Sequence, residues 1–333
     1  MKRLLITGAA GFIGMNLARH MKGKLELILL DDFSREGSAK NASILQEMGL
    51  RVHRIDVSDE LSLNSFLDSQ GSFDGLFHLA AQTSLLESIK EPKIDFNTNA
   101  LGSVNLLEYL RVHLPNCKGV FLASNKVYGN LKQLEYSELV TRYQIIGFPA
   151  GLDESLPVVP EGGYSISKSI SDYYVNEYGS RFSMPVISLR QSAVYGPNQN
   201  PRSDQGWVSF FTGQYISNSK VQLRGIGKQV RDILHVDDFC MLAENLLQQD
   251  LPHGEAFNVG GGGEFAISIL ELFNILETIG GKPMQFETGV MSEEDQKYYV
   301  SNNQKITKLT GWAPAISPEA GVLKLYKSIA ASH

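Results

Sequence analysis

The chain has 333 residues, 43% hydrophobic and 20% charged, with a formal net charge of −6 at pH 7. This is the make-up of a globular protein with room for one or two domains. The acidic balance speaks against a nucleic-acid binder, which draws on a basic surface. Cys117 and Cys240 offer neither metal-ligand spacing nor a disulfide framework and read as buried thiols. No stretch reaches the roughly 20 apolar residues of a membrane span. The apolar run after Met1-Lys2-Arg3 is broken by Gly8 and Gly11 before a secretory segment can form. A cytoplasmic protein without a membrane partner is expected.

In chain order, short apolar runs alternate with helical patterns, as βαβ units of a parallel sheet do. Strands are expected at 3–7, 25–30, 51–56, 75–80 and 119–124, with clear helices at 12–21 and 96–110. The stretch 130–160 is irregular, and loops of that length are usually functional or disordered. A helix over 164–182 leads into a sixth strand at 186–192. Strands this apolar need helices on both faces. After Gly196 the rhythm changes: Pro197, Pro201, Gly206, Gly213, Gly225 and Gly227 punctuate short elements, with helices expected at 236–249 and 268–278. The expected fold is α/β, a Rossmann-type doubly wound parallel sheet over 1–196. Residues 197–333 form mainly a smaller substrate-binding lobe, with segments returning to the sheet.

Three clusters carry chemistry. Gly8-Ala9-Ala10-Gly11-Phe12-Ile13-Gly14 follows an apolar strand and opens a helix, the context that a dinucleotide fingerprint requires. Gly8 permits the tight turn, Gly11 lets the backbone approach a pyrophosphate, and Gly14 allows close helix packing. The helix N-terminus then offers N–H groups to the phosphates. Asp31 ends the second strand, where a carboxylate can bind the adenosine ribose and repel a 2′-phosphate, favouring NAD over NADP. Asp32 is an alternative ligand, and Arg35 could accommodate a phosphate. Asp56 reads as an adenine contact or as an N-cap of the next helix.

Tyr164-Ser165-Ile166-Ser167-Lys168 sets a phenol and an ammonium four residues apart on one helix face. A free phenol titrates near pH 10, and a nearby cation is expected to favour the phenolate and make it a usable base. Ser124 ends the fifth strand at the edge where ligands bind in open α/β sheets. It could share the substrate hydroxyl with Tyr164, or merely cap a turn.

Together, the glycine fingerprint, Ser124 and Tyr164-x-x-x-Lys168 resemble the extended short-chain dehydrogenase/reductases over the whole chain. His78-Leu79-Ala80-Ala81-Gln82, Val194-Tyr195-Gly196-Pro197 and the stretch from Arg231 to Asp238 are similar to that family's nucleotide-sugar branch. Within it, Ser124-Asn125-Lys126-Val127-Tyr128-Gly129, Gly151-Leu152-Asp153-Glu154-Ser155, Asp204-Gln205-Gly206-Trp207-Val208 and Gly227 to Asp232 resemble the CDP-paratose 2-epimerases, also called CDP-tyvelose 2-epimerases. The resemblance implies cofactor contacts at Gly8, Gly11, Phe12, Ile13, Gly14, Asp31, Asp32, Ser34, Arg35, Asp56, Val57, Leu79, Ala80, Ala81, Gln82, Asn99, Tyr164 and Lys168. It implies substrate contacts at Ser124, Asn125, Lys126, Gln205, Gly206, Trp207 and Arg231, the arginine on the nucleotide phosphates. Pairing of Arg231 with Asp232 is the alternative. The chain departs from the family at Gly163 and Ser165, where proline and glycine usually flank the tyrosine. Ala123 replaces a small polar residue, and Asn302 stands where aspartate is common.

The residues after Ser124 bear on the reaction. Elimination of water needs an acid and a base, usually an Asp-Glu pair, and this chain has Asn125-Lys126. Epimerisation through a transient ketone needs only the alcohol-oxidising set of Ser124, Tyr164 and Lys168. The reading is an NAD-dependent nucleotide-sugar epimerase inverting C2 of a CDP-linked deoxysugar. A 4-epimerase and a non-catalytic NAD sensor are the alternatives. The resemblance further implies a homo-oligomer, dimer or tetramer, formed through the 96–110 and 164–182 helices, with Val104, Leu107 and Leu110 serving either that contact or core packing.

Overall fold

The computed structural model describes residues 2–200, 202, 205–291 and 295–331. Asp204 and Pro201 lie outside the described residues. The chain forms two compact units. The first comprises Met1–Val127, Gly162–Arg190 and Cys240–Phe257, the second Tyr128–Glu161, Gln191–Phe239 and Asn258–His333.

The first unit is built on a Rossmann-type sheet. Its strands are β1 (Arg3–Thr7), β2 (Glu26–Asp31), β3 (Val52–Arg54), β4 (Gly75–His78) and β5 (Lys118–Ser124), with further strands at Val186–Gln191 and Glu255–Val259. The seven lie in the order 255–259, 186–191, β5, β4, β1, β2, β3. β1 pairs in parallel with β2 and β4, as do β2 with β3 and β4 with β5. Leu4, Leu5 and Ile6 are wholly buried, as strands covered on both faces require. The expected α/β architecture is present. The seventh strand was not anticipated, because Ala256-Phe257-Asn258-Val259 is too short an apolar run for its period to be read.

The connecting helices include α1 (Phe12–Met21), α2 (Ser38–Glu47), α3 (Glu60–Gln70), α4 (Leu85–Lys90), α5 (Pro92–Phe96), α6 (Gly102–His113) and α7 (Gly163–Phe182). The α1 bounds match the expectation. The helix expected over 96–110 is interrupted: residues Asn97–Leu101 form a single π-helical turn between α5 and α6. Such turns occur frequently at functional sites. Leu107 and Leu110 on α6 are wholly buried among Leu5, Leu106, Phe121 and Val186. They belong to the core, and the expectation of a subunit contact through them is corrected. The exposed apolar residues on these helices instead include Ile89, Ile94, Phe96, Leu101, Val112, Ile166, Tyr173 and Phe182.

The second unit has its own core, including Tyr195, Phe211, Tyr215, Ile233, Leu272, Phe273, Leu276 and Val322. The stretch 130–160 contains a small antiparallel pair, Tyr136–Glu138 with Tyr143–Ile145. The expected helices are found at Val236–Gln248 and Ile269–Gly280, the latter opened by a Ser268–Glu271 capping box.

Candidate active site

The turn after β1 is shaped for close approach. Gly8 has φ +66°, and a Cβ there would lie 2.6 Å from the Ala80 amide nitrogen; a Cβ on Gly14 would lie 2.1 Å from the Gly8 carbonyl. Gly11 is the N-cap of α1 and provides no side-chain cap, and the first turn carries no acidic residue. The first-turn amides, including those of Phe12 and Ile13, therefore have no partner within the helix. The turn is braced from the next strand: Ala9 N–H donates to Leu30 O and Ala10 N–H to Asp31 Oδ2, both at 2.9 Å. Asp31 is 8% exposed, its other oxygen accepts Phe33 N–H at 2.9 Å, and burial raises its pKa. An ionised carboxylate has about four acceptor sites, so both oxygens keep capacity for ribose hydroxyls. Free helix amides, a cradle that any Cβ would fill and a strand-end carboxylate fit a dinucleotide.

Asp32 accepts the Ser34 amide and hydroxyl at 2.9 and 2.7 Å, and Arg35 donates to Thr83 Oγ1 at 2.7 Å. Asp56 is exposed and holds the Ser58 amide and hydroxyl, each at 2.8 Å. The N-cap of α3 is Asp59, whose side chain accepts Ser62 N–H; the N-cap alternative for Asp56 is corrected. Val57 is buried, and its carbonyl accepts Asn105 Nδ2 at 3.0 Å. The backbones of Leu79 and Ala80 bond to Thr7, through its carbonyl and hydroxyl respectively.

Ser124, Tyr164 and Lys168 come together. Tyr164 and Ser124 share a side-chain hydrogen bond. The Ser124 hydroxyl also accepts Lys126 N–H at 3.2 Å and lies 3.4 Å from Asn125 Oδ1. Lys168, 4% exposed, donates from Nζ to Leu122 O at 2.6 Å. Burial lowers its pKa to about 8, with Asp95 opposing the shift. Burial raises the Tyr164 phenol; the Ser124 hydrogen bond and Arg35 pull it down and Asp95 pushes it up. The chain alone thus does not depress the phenol, contrary to the expectation from the spacing of the pair, because desolvation outweighs the nearby charges.

A buried polar network beneath this pair was not foreseen. The Asn99 side chain accepts Gln82 N–H at 2.9 Å and donates to Gln82 O at 2.9 Å and Ser167 Oγ at 3.0 Å. Gln82 Nε2 donates to Asp95 Oδ1 at 2.9 Å and to Ser84 O at 2.9 Å. The side chains of Gln82 and Asn99 are engaged with protein partners. His78 Nδ1 lies 2.7 Å from Thr7 Oγ1, and its Nε2 lies 3.0 Å from Ser103 Oγ. Ser103 donates to Asn99 O at 2.8 Å and accepts from Ser171. Its proton is thus committed, so His78 carries its own on Nε2 and accepts from Thr7. Asp95 sits outside any motif, and its signal is only that it lies four residues before Asn99.

In the second unit, Gln205 exchanges backbone hydrogen bonds with Arg202 at 3.0 and 3.1 Å. Gly206, at φ +73°, precedes the helix Trp207–Ile216, and the Trp207 indole N–H is buried without an acceptor among the described residues. Arg231 pairs with Asp295 at 2.8 Å. The alternative pairing with Asp232 is corrected: Asp232 is wholly buried and accepts Ser192 Oγ at 2.5 Å, Ser301 N–H at 3.0 Å and Gly262 N–H at 3.1 Å. Asn302 Oδ1 accepts Gln304 N–H at 2.9 Å. The Gly151 to Ser155 stretch is woven into this unit, with Leu152 N–H on Val300 O at 2.7 Å and Glu154 accepting Asn258 N–H at 2.6 Å.

Among the described residues no cluster of His, Cys, Asp and Glu could hold a metal ion, and no helix is long and apolar enough to cross a membrane. Residues 4–260 match the model of the NAD dependent epimerase/dehydratase family. The chain is 36% identical to a CDP-paratose 2-epimerase of Salmonella typhi, over 97% of this chain and 98% of that one. It is 28% identical to a UDP-glucose 4-epimerase of Mycolicibacterium smegmatis, over 97% and 96%. The UDP-glucose 4-epimerase of Thermus thermophilus, solved in complex with NAD, superposes with a TM-score of 0.82 at 25% identity, covering 98% of both chains. The chain is therefore an enzyme of the NAD dependent epimerase/dehydratase family, in the nucleotide-sugar branch of the extended short-chain dehydrogenase/reductases.

Proposed function

We propose that this enzyme inverts C2 of a CDP-linked deoxysugar of the paratose/tyvelose type through a transient 2-keto sugar. The observation that carries the reading is the 36% identity to a CDP-paratose 2-epimerase over nearly the whole of both chains. Asn125-Lys126 beside Ser124 supports it, since a dehydration would call for a carboxylic acid and base there.

NAD, when bound, supplies the acceptor that takes hydride from the sugar carbon and gives it back. Gly8, Gly11, Gly14, the Phe12 and Ile13 amides and Asp31 would hold it, with Asp32, Ser34, Arg35, Asp56, Val57 and the Leu79 to Gln82 backbone around it. Tyr164 accepts the proton of the C2 hydroxyl as the carbonyl forms and returns it when the other face is reduced. Ser124 hydrogen-bonds the same sugar oxygen and keeps it in line with the phenol. Lys168 holds positive charge beside the phenol and the cofactor's ribose. Asn99 and Gln82 act indirectly, by fixing the backbone around the pair. Asn125 and Lys126, with Gln205, Gly206, Trp207 and Arg231 of the second unit, are assigned to the substrate on the resemblance alone.

A homodimer is part of this proposal. Ile89, Ile94, Phe96, Ile166 and Tyr173 are each about half exposed or more, and large apolar patches on a surface mark interaction sites. A panel of CDP-, UDP-, GDP- and dTDP-sugars followed by NMR tests the substrate. Turnover confined to a UDP-sugar with inversion at C4 would replace this reading with a 4-epimerase.

A further inference from the structure

The buried carboxylate of Asp95 has no place in the chemistry so far, yet it lies where three parts of the site meet. It is 1% exposed and sits on α5, just before the π-helical turn. Its Oδ1 accepts Gln82 Nε2 at 2.9 Å, from the segment after β4, and Asn99 Nδ2 at 3.3 Å, from the π turn. The same Asn99 amide nitrogen donates to Ser167 Oγ at 3.0 Å, which links this carboxylate to α7 between Tyr164 and Lys168. A fixed charge buried at such a junction acts on its neighbours more strongly than in water.

We infer that Asp95 is a positioning residue for the reaction, its charge keeping the Lys168 ammonium in place beside Tyr164 and setting the pH window in which the pair works. The inference rests on the catalytic assignment of Tyr164 and Lys168 proposed above. The groups around the pair are few. Lys168 and Tyr164 lie on α7, which packs against the α5 helix that carries Asp95, Arg35 acts on Tyr164 from the segment after β2, and His78 on β4 is neutral, its pKa lowered to about 3 by burial. Asp95 is the carboxylate that opposes the loss of the Lys168 proton, and it also raises Tyr164. Burial raises Asp95 itself, while the bonds from Ser167 and Gln82 and the charge of Lys168 hold it back. Removing its charge must therefore move both titrations in one direction, toward lower pH. Loss of a merely structural bond would lower activity or stability without moving them.

The test compares Asp95→Asn, Asp95→Ser and Asp95→Glu with the parent enzyme, using CDP-tyvelose and NAD. The pH profile of kcat/KM should shift bodily toward lower pH in both neutral variants, by about half a unit or more. Asp95→Glu should restore the parent profile at least in part. A second readout needs no turnover: the tyrosinate absorbance titration of each protein minus that of its Tyr164→Phe derivative reports Tyr164 alone. Its midpoint should fall in Asp95→Asn and Asp95→Ser. Folded neutral variants whose profile and tyrosinate midpoint stay in place would overturn the proposal, and so would failure of both to fold, which would leave Asp95 a stabilising role only. Near-normal turnover in Tyr164→Phe would instead overturn the catalytic reading beneath it.

Discussion

Lys168 donates its ammonium proton to the backbone oxygen of Leu122 at 2.6 Å, two residues before Ser124 on the same strand. The helix that carries Tyr164 is thereby tied to the strand that ends in Ser124. If the three groups act as proposed, this tie limits the reorganisation that the reaction requires.

Tyr164→Phe should cut kcat by ~10²–10⁴-fold, the usual contribution of a general acid–base group. The affinity for nucleotide-sugar, measured by calorimetry, should change little, because the phenol acts on the reacting hydroxyl. Near-normal kcat would remove Tyr164 from the mechanism.

His78 yields a prediction about acid stability. Its pKa is lowered from 6.5 to about 3 by burial and the Lys168 charge. Between those values the unfolded chain binds a proton that the folded chain does not, so stability rises with pH across the window and falls on acidification. The slope from this one group is about 1.4 kcal/mol per pH unit. His78→Gln keeps one donor and one acceptor and should unfold in urea with a shallower pH dependence. An unchanged dependence would show that His78 does not titrate as a buried neutral ring.

Much of this site was legible in the sequence. The glycine turn and the Tyr164–Lys168 spacing are local features whose geometry follows from strand and helix periods. Ser124 could be placed because the edge of the sheet was predictable. What could not be read was long-range. Asp95 meets Gln82 from a distant segment and Asn99 from a π turn, and nothing in residues 92–101 announces that turn. The same holds for Leu107 and Leu110, whose spacing suits a core face and a subunit face equally. Arg231 illustrates the limit at a single residue. Its neighbour Asp232 is adjacent in sequence but alternates to the buried face of the strand, leaving Arg231 to Asp295.

Asp31→Ala should weaken NAD binding at least tenfold by calorimetry and narrow the preference over NADP. The carboxylate that would repel a 2′-phosphate is lost. The Ala10 N–H loses its acceptor as well, so some affinity is lost for both cofactors. Retained NAD affinity would move the ribose contact to Asp32.

Ile94→Asp combined with Phe96→Asp should convert a dimer to a monomer in light scattering, with little change in the folding of the protomer. Both side chains are about half exposed, so charge there disturbs no core packing. A parent protein that is monomeric at micromolar concentration would contradict the dimer outright.

The central claim is that the reaction occurs at C2 by reversible oxidation, and isotopic labelling tests it directly. A CDP-sugar of the paratose/tyvelose type, carrying deuterium at C2, is incubated with the enzyme and the product is read by NMR. If the same hydride is removed and returned, the deuterium stays at C2 while that centre inverts. The unlabelled substrate run in heavy water should then gain no deuterium at C2 or C3, because no carbon–hydrogen bond is broken as an acid. Solvent label appearing at either carbon would indicate deprotonation beside a ketone and contradict the proposed chemistry. Inversion at C4 with C2 untouched would contradict the assignment of the reacting carbon.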